Sequence, residues 1–283
     1  MAKQKRSENT YQKINTLYKR DANNVIMQYA DWADPAYSYL RNCLWDATTK
    51  IDGTNIRIEV TQVPNIVDNS DVVGVSWNVD FKGKTDNANI PKNLVKYMND
   101  NFPEDKVLNA LGLKKYMDRN DWVEKGWIVS KEDPKPDYEK IPKRYTLYGE
   151  GYGAGIQKCG GRYIRNGVSF IGFDVKVDDL YLFRENMVDI FNKLNCPTTF
   201  YHGQMTIDEA VQIVRNGFID EIAEDRTFLA EGLVLSSPIG LKNRRGERLV
   251  VKIKYCDFEK YRARYGTDDP VEQPINDKYE NKN

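Results

Sequence analysis

The residues most able to do chemistry lie in one short stretch, ATTKIDGTNIRI, at positions 47–58. Lys50 carries an amine that becomes a nucleophile once it is deprotonated. Gly53, three residues later, permits a close approach of backbone or ligand that a side chain would block. Taken alone, a lysine at the mouth of a strand is most often a solvated surface residue. A chemical role for Lys50 therefore depends on what the rest of the chain supplies.

Four further stretches place charged or aromatic residues on strand-like segments. They are YTLYGEGYGAG with Glu150, FIGFDVKV with Phe173 and Asp174, EGLVLSS with Glu231, and RLVVKIKYCDF with Lys252 and Lys254. The G-x-G spacing beside Glu150 does not indicate a dinucleotide-binding turn, because no amphipathic helix follows it. In the last stretch, apolar and charged residues alternate, which predicts that both lysines lie on one face of a strand.

Each stretch also has an ordinary structural interpretation. The glycines around Glu150 could form a plain turn, and Glu231 could be a surface residue. Adjacent strand residues point to opposite faces, so either Phe173 or Asp174 faces the core, but not both. The two lysines of the last stretch could protect an exposed sheet edge.

In combination, the residue types fit the transfer of a nucleotide to an amine. Neighbouring cations and a divalent metal lower the pKa of an amine and favour its reactive neutral form. Lys252 and Lys254 would also stabilise phosphate oxygens as a leaving group departs. Glu150 and Glu231 are hard oxygen donors for a ribose hydroxyl or for Mg²⁺, directly or through water. Phe173 could stack on a purine.

Composition limits the class of protein. Lys+Arg and Asp+Glu both number 42, so the chain lacks the net positive charge of a protein that coats nucleic acid. The four cysteines form no C-x-x-C pair, which predicts reduced thiols rather than a zinc ribbon. The single histidine, His202, excludes a metal site built on several histidines. The sequence has no apolar run of membrane-spanning length and no signal peptide, so we expect a soluble, cytoplasmic protein.

The elements that must position the candidate residues are predicted from periodicity. Period-two patterns predict strands at 54–61, 72–81, 144–149, 168–177, 231–236 and 248–255, and helical patterns occur at about 91–101, 105–111, 184–194 and 207–216. In the first strand, Ile56, Ile58 and Val60 alternate with Arg57 and Glu59, which predicts a half-buried strand.

Strands and helices are interspersed without regular alternation. This arrangement predicts an α+β domain of antiparallel sheets flanked by helices over residues 10–265. Thr206 and Glu209 form a predicted capping box at the start of the last helix. The polar segments at 1–9 and 266–283 are predicted to be flexible tails.

Five stretches resemble the ordered motifs of the covalent nucleotidyltransferase superfamily, which includes polynucleotide ligases and mRNA capping enzymes. KIDGTN is similar to the nucleophile motif, YGEG to the third motif, FIGFDV to the next, EGLVL to the fourth and VVKIK to the fifth. They follow the family's order across residues 45–258. The resemblance implies the nucleotidyltransferase (ligase adenylation) fold, which is ATP-grasp-like, with Lys50 as the residue that takes AMP.

Three features are similar to phage-like, ATP-dependent RNA ligases of the RNA ligase 2 type. DNA ligases and capping enzymes usually have arginine where this chain has Asn55. The segment FKGKTDNANIP at 81–91 looks like one that presents Arg or Lys to nucleotide and RNA, with Lys84 the candidate and Lys82 in reserve. The N-terminal YQKINTLYKRD reads like the start of such ligases.

This resemblance implies RNA repair, in which 5′-phosphate and 3′-hydroxyl RNA ends or a nicked RNA duplex are sealed. ATP and Mg²⁺ or Mn²⁺ would be the cofactors, and Asn55 would assist the closing attack. The residues that it implies in nucleotide binding are Thr49, Lys84, Glu150, Phe173, Glu231, Lys252 and Lys254. Glu150 and Glu231 would hold metal, with Asp174 a third candidate.

Three departures from the family pattern have consequences. Thr49 stands where such ligases often have glutamate, so adenine recognition would use backbone contacts. Lys84 replaces an arginine and loses its bidentate fork. The residues after Lys254 are too few for an OB fold or a helical C-terminal domain, so we expect a bare nucleotidyltransferase domain. RNA would then bind to its own surface or through a separate RNA-binding or end-healing partner.

The alternatives are a DNA ligase-type enzyme, a GTP-using capping enzyme and a non-catalytic nucleic-acid-binding relative. Asn55 argues against the first, and the lack of room for an OB domain argues against the second. The third is disfavoured because no ionisable position of the motifs is lost. No membrane partner is expected, and a viral protein of this kind would act in the host cytoplasm.

Overall fold

The computed structural model describes residues 10–27, 29–67, 71–128, 130, 141–267 and 269–272. The chain divides into two compact units. The first contains the described residues up to Tyr11 and Asp52–Thr198, and the second contains Gln12–Ile51 and the described residues from Thr199 onward. The predicted tail at 1–9, and most of that at 266–283, lie outside the described residues.

Strands and helices from both units are numbered in chain order. The strands are β1 (Asn15–Thr16), β2 (Tyr29–Ala30), β3 (Trp45–Thr49), β4 (Thr54–Val67), β5 (Asp71–Gly83), β6 (Tyr116–Asp118), β7 (Arg144–Gly153), β8 (Val168–Val177), β9 (Leu180–Tyr181), β10 (Tyr201–Met205), β11 (Gly232–Ser236), β12 (Val250–Lys254) and β13 (Val271–Glu272). The helices are α1 (Pro35–Tyr39), α2 (Lys92–Asn101), α3 (Glu104–Ala110), α4 (Arg119–Glu124), α5 (Gly160–Tyr163), α6 (Arg184–Lys193), α7 (Ile207–Asn216) and α8 (Tyr255–Tyr265). All the predicted strands and helices are present, and the α+β class is confirmed.

The first unit is built on a six-stranded antiparallel sheet with the order β6-β5-β4-β7-β8-β9. Apolar residues of β4, among them Ile56 and Ile58, are completely buried. They belong to one core with Leu94 of α2 and Phe191 of α6. Helices therefore cover the apolar face of this sheet, as the alternation of residues along β4 requires.

The middle of the other face of β4 is also buried, so the prediction of a half-buried strand is wrong at Arg57 and Glu59. Arg57 is 0% and Glu59 8% exposed. The Arg57 guanidinium lies 2.9 Å from a Glu59 carboxylate oxygen, donates to Asp86 at 2.7 Å and donates to the Gly83 carbonyl at 3.0 Å. Buried charges persist where they pair with one another, and a local pattern of polar residues does not reveal that pairing.

Gly149, Gly151 and Gly153 belong to a strand, and only Gly155 lies in the turn that follows it. Strand β7 continues to Gly153, beyond the predicted end at residue 149. A Cβ atom on Gly149 would lie 2.2 Å from the Phe170 ring, and one on Gly151 would lie 2.3 Å from Leu94. These glycines therefore let large core side chains pack directly on the strand.

The second unit contains a five-stranded sheet with the order β1-β12-β11-β3-β10, in which only the two-residue strand β1 is parallel to its neighbour. The short strands β2 and β13 form a separate parallel pair. Helix α7 packs on the five-stranded sheet through Ile207, Ala210 and Val214. The predicted capping box is confirmed, because Thr206 accepts the Glu209 N–H and Glu209 accepts the Thr206 N–H.

The sequence composition predicted reduced cysteines and no membrane-spanning segment. The four cysteines are free thiols, as predicted. Within the described ranges, helices are either too short or too polar to cross a lipid bilayer.

Gly149→Ala is expected to destabilise the protein by about 1–3 kcal/mol, the usual effect of forcing atoms into a packed core. The added Cβ would lie 2.2 Å from the Phe170 ring and 2.5 Å from the Ile171 carbonyl oxygen. Gly161→Ala in α5 is the matched control, because its Cβ would meet nothing within 4 Å. Urea unfolding followed by tryptophan fluorescence measures both variants, and equal losses would contradict the close packing.

Candidate active site

Three lysines gather at one end of the five-stranded sheet. Lys50 directly follows β3 and donates its backbone N–H to the Gly232 carbonyl at 2.9 Å. On β12, Lys254 pairs with Gly232, and Lys252 lies between β11 and Thr16 of β1. Lys252 is therefore not on a sheet edge, which excludes the edge-protecting interpretation for this residue.

The carboxylate of Glu231 bridges two of these amines. One oxygen accepts a hydrogen bond from Lys50 Nζ at 2.5 Å, and the other pairs with Lys254 Nζ. Lys50 Nζ also donates to the Ile51 carbonyl at 3.2 Å. The side chains of Lys50, Glu231 and Lys254 are 21%, 16% and 24% exposed. Partial exclusion of water strengthens their attraction, so one carboxylate holds the candidate nucleophile beside a candidate phosphate-binding lysine.

The two lysines of β12 have opposite electrostatic environments. Burial, together with repulsion by Lys254 and Lys50, lowers the pKa of Lys252 to about 8. Burial would also lower the pKa of Lys254, but the hydrogen bond and negative charge of Glu231 raise it above its ordinary value. Lys252 therefore loses its proton much closer to neutral pH than an exposed lysine does.

Arg20 is a charged residue near Lys252 that sequence reasoning missed. Its guanidinium pairs with the buried Asp257 carboxylate at 2.5 Å, and its charge contributes to the lowered pKa of Lys252. Arg20 belongs to the stretch YQKINTLYKRD, but no local spacing links it to a partner 237 positions away.

Thr49, which precedes the candidate nucleophile, is held by the single histidine. The Thr49 hydroxyl lies 2.8 Å from Nε2 of His202, and its backbone N–H donates to the Phe200 carbonyl at 2.9 Å. The His202 ring packs edge-on against the rings of Phe200 and Phe218, and burial lowers its pKa. The amide N–H and hydroxyl of Thr49 are thus already engaged within the protein.

Asn55 and Glu150, both in the first unit, lie directly opposite each other on β4 and β7. Residues paired in this way extend from the same face with their Cβ atoms about 5 Å apart. The side-chain oxygen of Asn55 is buried and has no hydrogen-bond partner among the described residues. A buried amide oxygen without a donor is a candidate contact for a bound hydroxyl group.

The segment that follows Lys50 is anchored within the first unit. The Asp52 N–H donates to the Tyr163 hydroxyl at 3.1 Å, and the Gln157 side-chain amide donates to the Gly53 carbonyl at 3.0 Å. A Cβ on Gly53 would lie 2.3 Å from the Gly151 carbonyl oxygen. Close contact with β7 is therefore sufficient to require glycine at position 53.

A bulge in β8 determines how Phe173 and Asp174 are placed. The register with β7 shifts at this point and leaves Phe173 without a partner residue. Asp174 is 7% exposed and accepts a hydrogen bond from the Tyr11 hydroxyl at 2.8 Å. Phe173 is only partly buried and packs edge-on against the Tyr11 ring, with centroids 5.1 Å apart. Asp174 is thus the more buried of the two, and Tyr11 is a neighbour that sequence reasoning missed.

Lys84 stands apart from the other candidates of the first unit. It lies in the exposed loop that follows β5 and makes no hydrogen bond or ion pair with any described residue. Lys82 precedes it on β5 and pairs in register with Arg57. Because Arg57 binds Gly83 and Asp86 on either side of Lys84, this buried arginine fixes the start of the loop.

The three carboxylates predicted to hold metal do not form a preformed metal site. Across the described parts of the chain, no group of three or more His, Cys, Asp or Glu side chains could hold an ion. Mg²⁺ in nucleotide sites is commonly held by one or two carboxylates together with substrate phosphates and water. Within the second unit, Glu231 is paired with Lys50 and Lys254, and within the first unit Asp174 accepts a hydrogen bond from Tyr11.

Comparison with known proteins gives distant structural similarity. The chain is similar to Naegleria gruberi RNA ligase with PPi, at 15% identity and a TM-score of 0.47 over 93% of this chain and 64% of the other. It is also similar to a mutant of that ligase with AMP and Mn, at 15% identity and a TM-score of 0.49 over 88% of this chain and 58% of the other. The chain thus spans less than two thirds of either ligase, and similarity of this degree assigns no activity. No protein-family model and no curated protein matches the sequence.

Lys252→Met is expected to raise the free energy of unfolding near pH 7 by about 1–2 kcal/mol, after allowance for solvent screening. The folded pKa of about 8 lies below the ordinary 10.5, so the unfolded chain binds more protons between these values. The destabilisation by charged Lys252 is complete below about pH 8 and disappears as the pH rises towards about 10.5. Denaturant unfolding of both proteins across this pH range measures the difference.

Lys92→Met is the matched control for this prediction, because Lys92 is an exposed residue of α2. It should leave the pH dependence of stability unchanged. A stability difference between Lys252→Met and the unsubstituted protein that stays constant from about pH 7 to about pH 10 would contradict the lowered pKa of Lys252.

Proposed function

We propose that this protein is an ATP-dependent RNA ligase of the RNA ligase 2 type, which seals RNA ends through a covalent lysyl-AMP intermediate. The observation that carries the proposal is the Glu231 carboxylate that joins Lys50 and Lys254, with Lys252 close by on the same strand. These residues come from three separate motifs. An amine next to a cationic, partly dry surface is what nucleotide transfer to lysine requires.

In the first step, the neutral amine of Lys50 attacks the α-phosphorus of ATP. A nitrogen–phosphorus bond forms, and the bond to the bridging oxygen breaks, so that pyrophosphate leaves with the electron pair. Lys50 must first leave Glu231 and give up a proton. Lys252 and Lys254 then bind the non-bridging oxygens, whose negative charge they stabilise during the transfer.

In the later steps, AMP passes from Lys50 to the 5′-phosphate of RNA, and the 3′-hydroxyl attacks that phosphate as AMP leaves. Asn55 would align the hydroxyl, since its buried amide oxygen lacks a partner among the described residues. Glu150 lies beside Asn55 and would bind ribose or metal. Phe173 would stack on adenine, and Lys84 would contact nucleotide and RNA from its exposed loop.

Mg²⁺ or Mn²⁺ would be held by Glu150 and Glu231 together with the phosphates of ATP. When bound, such an ion neutralises phosphate charge and supports departure of pyrophosphate. Glu231 is paired with Lys50 and Lys254 here, so the same carboxylate that would hold the ion also positions the amine of Lys50.

Lys50→Ala is expected to abolish a covalent adduct with AMP and leave the fold intact. The protein is incubated with labelled ATP or GTP and Mg²⁺, and the label that stays on the polypeptide is measured after denaturing electrophoresis. Lys92→Ala, at an exposed position on α2, is the control and should keep the full yield. An undiminished adduct in Lys50→Ala would assign the nucleophile to another residue.

Asn55→Ala is expected to form the AMP adduct and to transfer AMP to a 5′-phosphate, but then to stall. Loss of alignment by about 1 Å can slow a reaction about a hundredfold. Single-turnover sealing of pre-adenylated nicked RNA measures this step. The same RNA should at least partly rescue Lys50→Ala, and normal sealing by Asn55→Ala would refute its role and reopen the DNA ligase alternative.

A further inference from the structure

The connection between β11 and β12, residues 237–249, is basic, with Lys242, Arg244, Arg245 and Arg248 against one acidic residue, Glu247. We name these residues the basic loop. Lys242, Arg244 and Arg245 are exposed, and their side chains make no hydrogen bond or ion pair with any described residue. Other arginines of the same unit pair with aspartates, and these are Arg20, Arg41, Arg215 and Arg264. Paired charges need no partner from outside, whereas those of the basic loop are available to a ligand.

The basic loop has a defined conformation. The side-chain oxygen of Asn243 accepts the N–H groups of Arg245 at 2.9 Å and Glu247 at 3.1 Å. The Asn243 backbone exchanges further hydrogen bonds with Glu247 and Gly246. Lys242 and Arg248 form a β-bridge below this turn. The cations are therefore presented on a preorganised turn, which reduces the entropy lost when a ligand binds.

The basic loop belongs to the same hairpin as the candidate catalytic residues. Glu231 and Lys254 lie at the open end of the hairpin, and Ser236 pairs with Val250 next to the loop. At about 3.3 Å per residue, the six residues from Lys254 back to Arg248 span about 20 Å. This length extends past several successive phosphates of a nucleic-acid strand.

The side-chain alternation extends along this hairpin. Leu249, Val251 and Ile253 are buried in the core of the unit, so the intervening residues of the strand turn to the other face. That face carries Lys252 and Lys254, and Arg248 follows the same alternation. The buried Val250 lies between Arg248 and Lys252 on this face, so the cationic side chains stand on both sides of one apolar residue.

We propose that the basic loop binds the sugar–phosphate backbone of the RNA whose end is sealed, a proposal that rests on the proposed ligase function. Guanidinium groups bind phosphate with paired hydrogen bonds. The loop has no aromatic residue for base stacking, so it contacts the backbone without reading sequence. Because the whole chain has no net charge, attraction of a polyanion must come from such a local surface.

The test is a triple charge reversal, Lys242→Glu with Arg244→Glu and Arg245→Glu. Fluorescence anisotropy measures binding of a 5′-phosphorylated nicked RNA duplex between about 50 and about 200 mM salt. We expect affinity to fall at least about tenfold at the lower salt concentration, and the slope of log affinity against log salt to decrease by about 2–3, near 0.9 per lost cation. The AMP adduct should form with unchanged yield.

The matched control reverses the same number of exposed charges elsewhere, with Lys92→Glu, Lys125→Glu and Lys260→Glu. It should bind RNA with the slope of the unsubstituted protein. Lys242→Arg with Arg244→Lys and Arg245→Lys keeps the charge and should retain most of the affinity. The thermal melting temperature of both triple reversals should equal that of the unsubstituted protein, which shows that they are folded. If the charge-conserving variant also fails to bind RNA, the electrostatic role of the loop is overturned.

Three outcomes separate this proposal from the ligase assignment. Equal salt slopes for the two triple reversals overturn the basic loop as an RNA site, even when the AMP adduct forms normally. The triple reversal of the basic loop could also keep RNA binding and lose binding to vesicles rich in anionic lipid. That result overturns the proposal and indicates that the loop binds a membrane surface instead. The unsubstituted protein could form no AMP adduct and yet lose RNA binding when the basic loop is reversed. That result supports the loop as an RNA site and refutes only the ligase chemistry.

Discussion

A carboxylate held between two ammonium groups is the interaction on which the candidate site depends. Lys50, Lys252 and Lys254 meet in a partly buried region where like charges repel strongly. Glu231 neutralises two of them, and Asp257 does the same for Arg20. Lys252 has no such partner among the described residues, and burial together with repulsion by Lys254 and Lys50 lowers its pKa. The sheet can therefore gather an anion-binding surface without being driven apart by its own charge.

Local sequence patterns predicted the strands and helices of this fold better than they predicted which distant residues contact one another. Alternation identified β4 and β12, and the Thr206 capping box identified the start of α7, because each depends on residues a few positions apart. The strand β3 was missed although it carries Thr49 into the site, because its third buried position is the polar Thr49, and only Trp45 and Ala47 mark the buried face as apolar. The Lys50–Glu231 contact joins residues 181 positions apart, and only the motif resemblance brought them together. The burial of Arg57 was missed because its ion pairs form only after the strands assemble.

The functional candidates reduce stability in ways that a purely structural domain would avoid. Lys252 keeps a charge in a half-buried position, and the amide oxygen of Asn55 is buried without a donor among the described residues. Each feature lowers the free energy of unfolding unless a ligand pairs with the charge or donates a hydrogen bond to the oxygen. The surrounding sheets compensate with dense packing, including the glycines of β7 that accept the Phe170 ring and Leu94. The two cores thus stabilise the fold, whereas the candidate site residues at the sheet surfaces destabilise it.

The lowered pKa of Lys252 also affects how the proposed nucleophile, Lys50, can be tested. Acylating and aldehyde reagents modify neutral amines, and at neutral pH they select the lysines that lose protons most readily. Such reagents will find Lys252 before lysines of ordinary basicity, whatever its part in the reaction. Chemoproteomic surveys of reactive lysines would then rank this residue highly for its electrostatic surroundings. Only an adduct derived from the nucleotide itself distinguishes the amine that forms a bond to phosphorus from the amine that assists it.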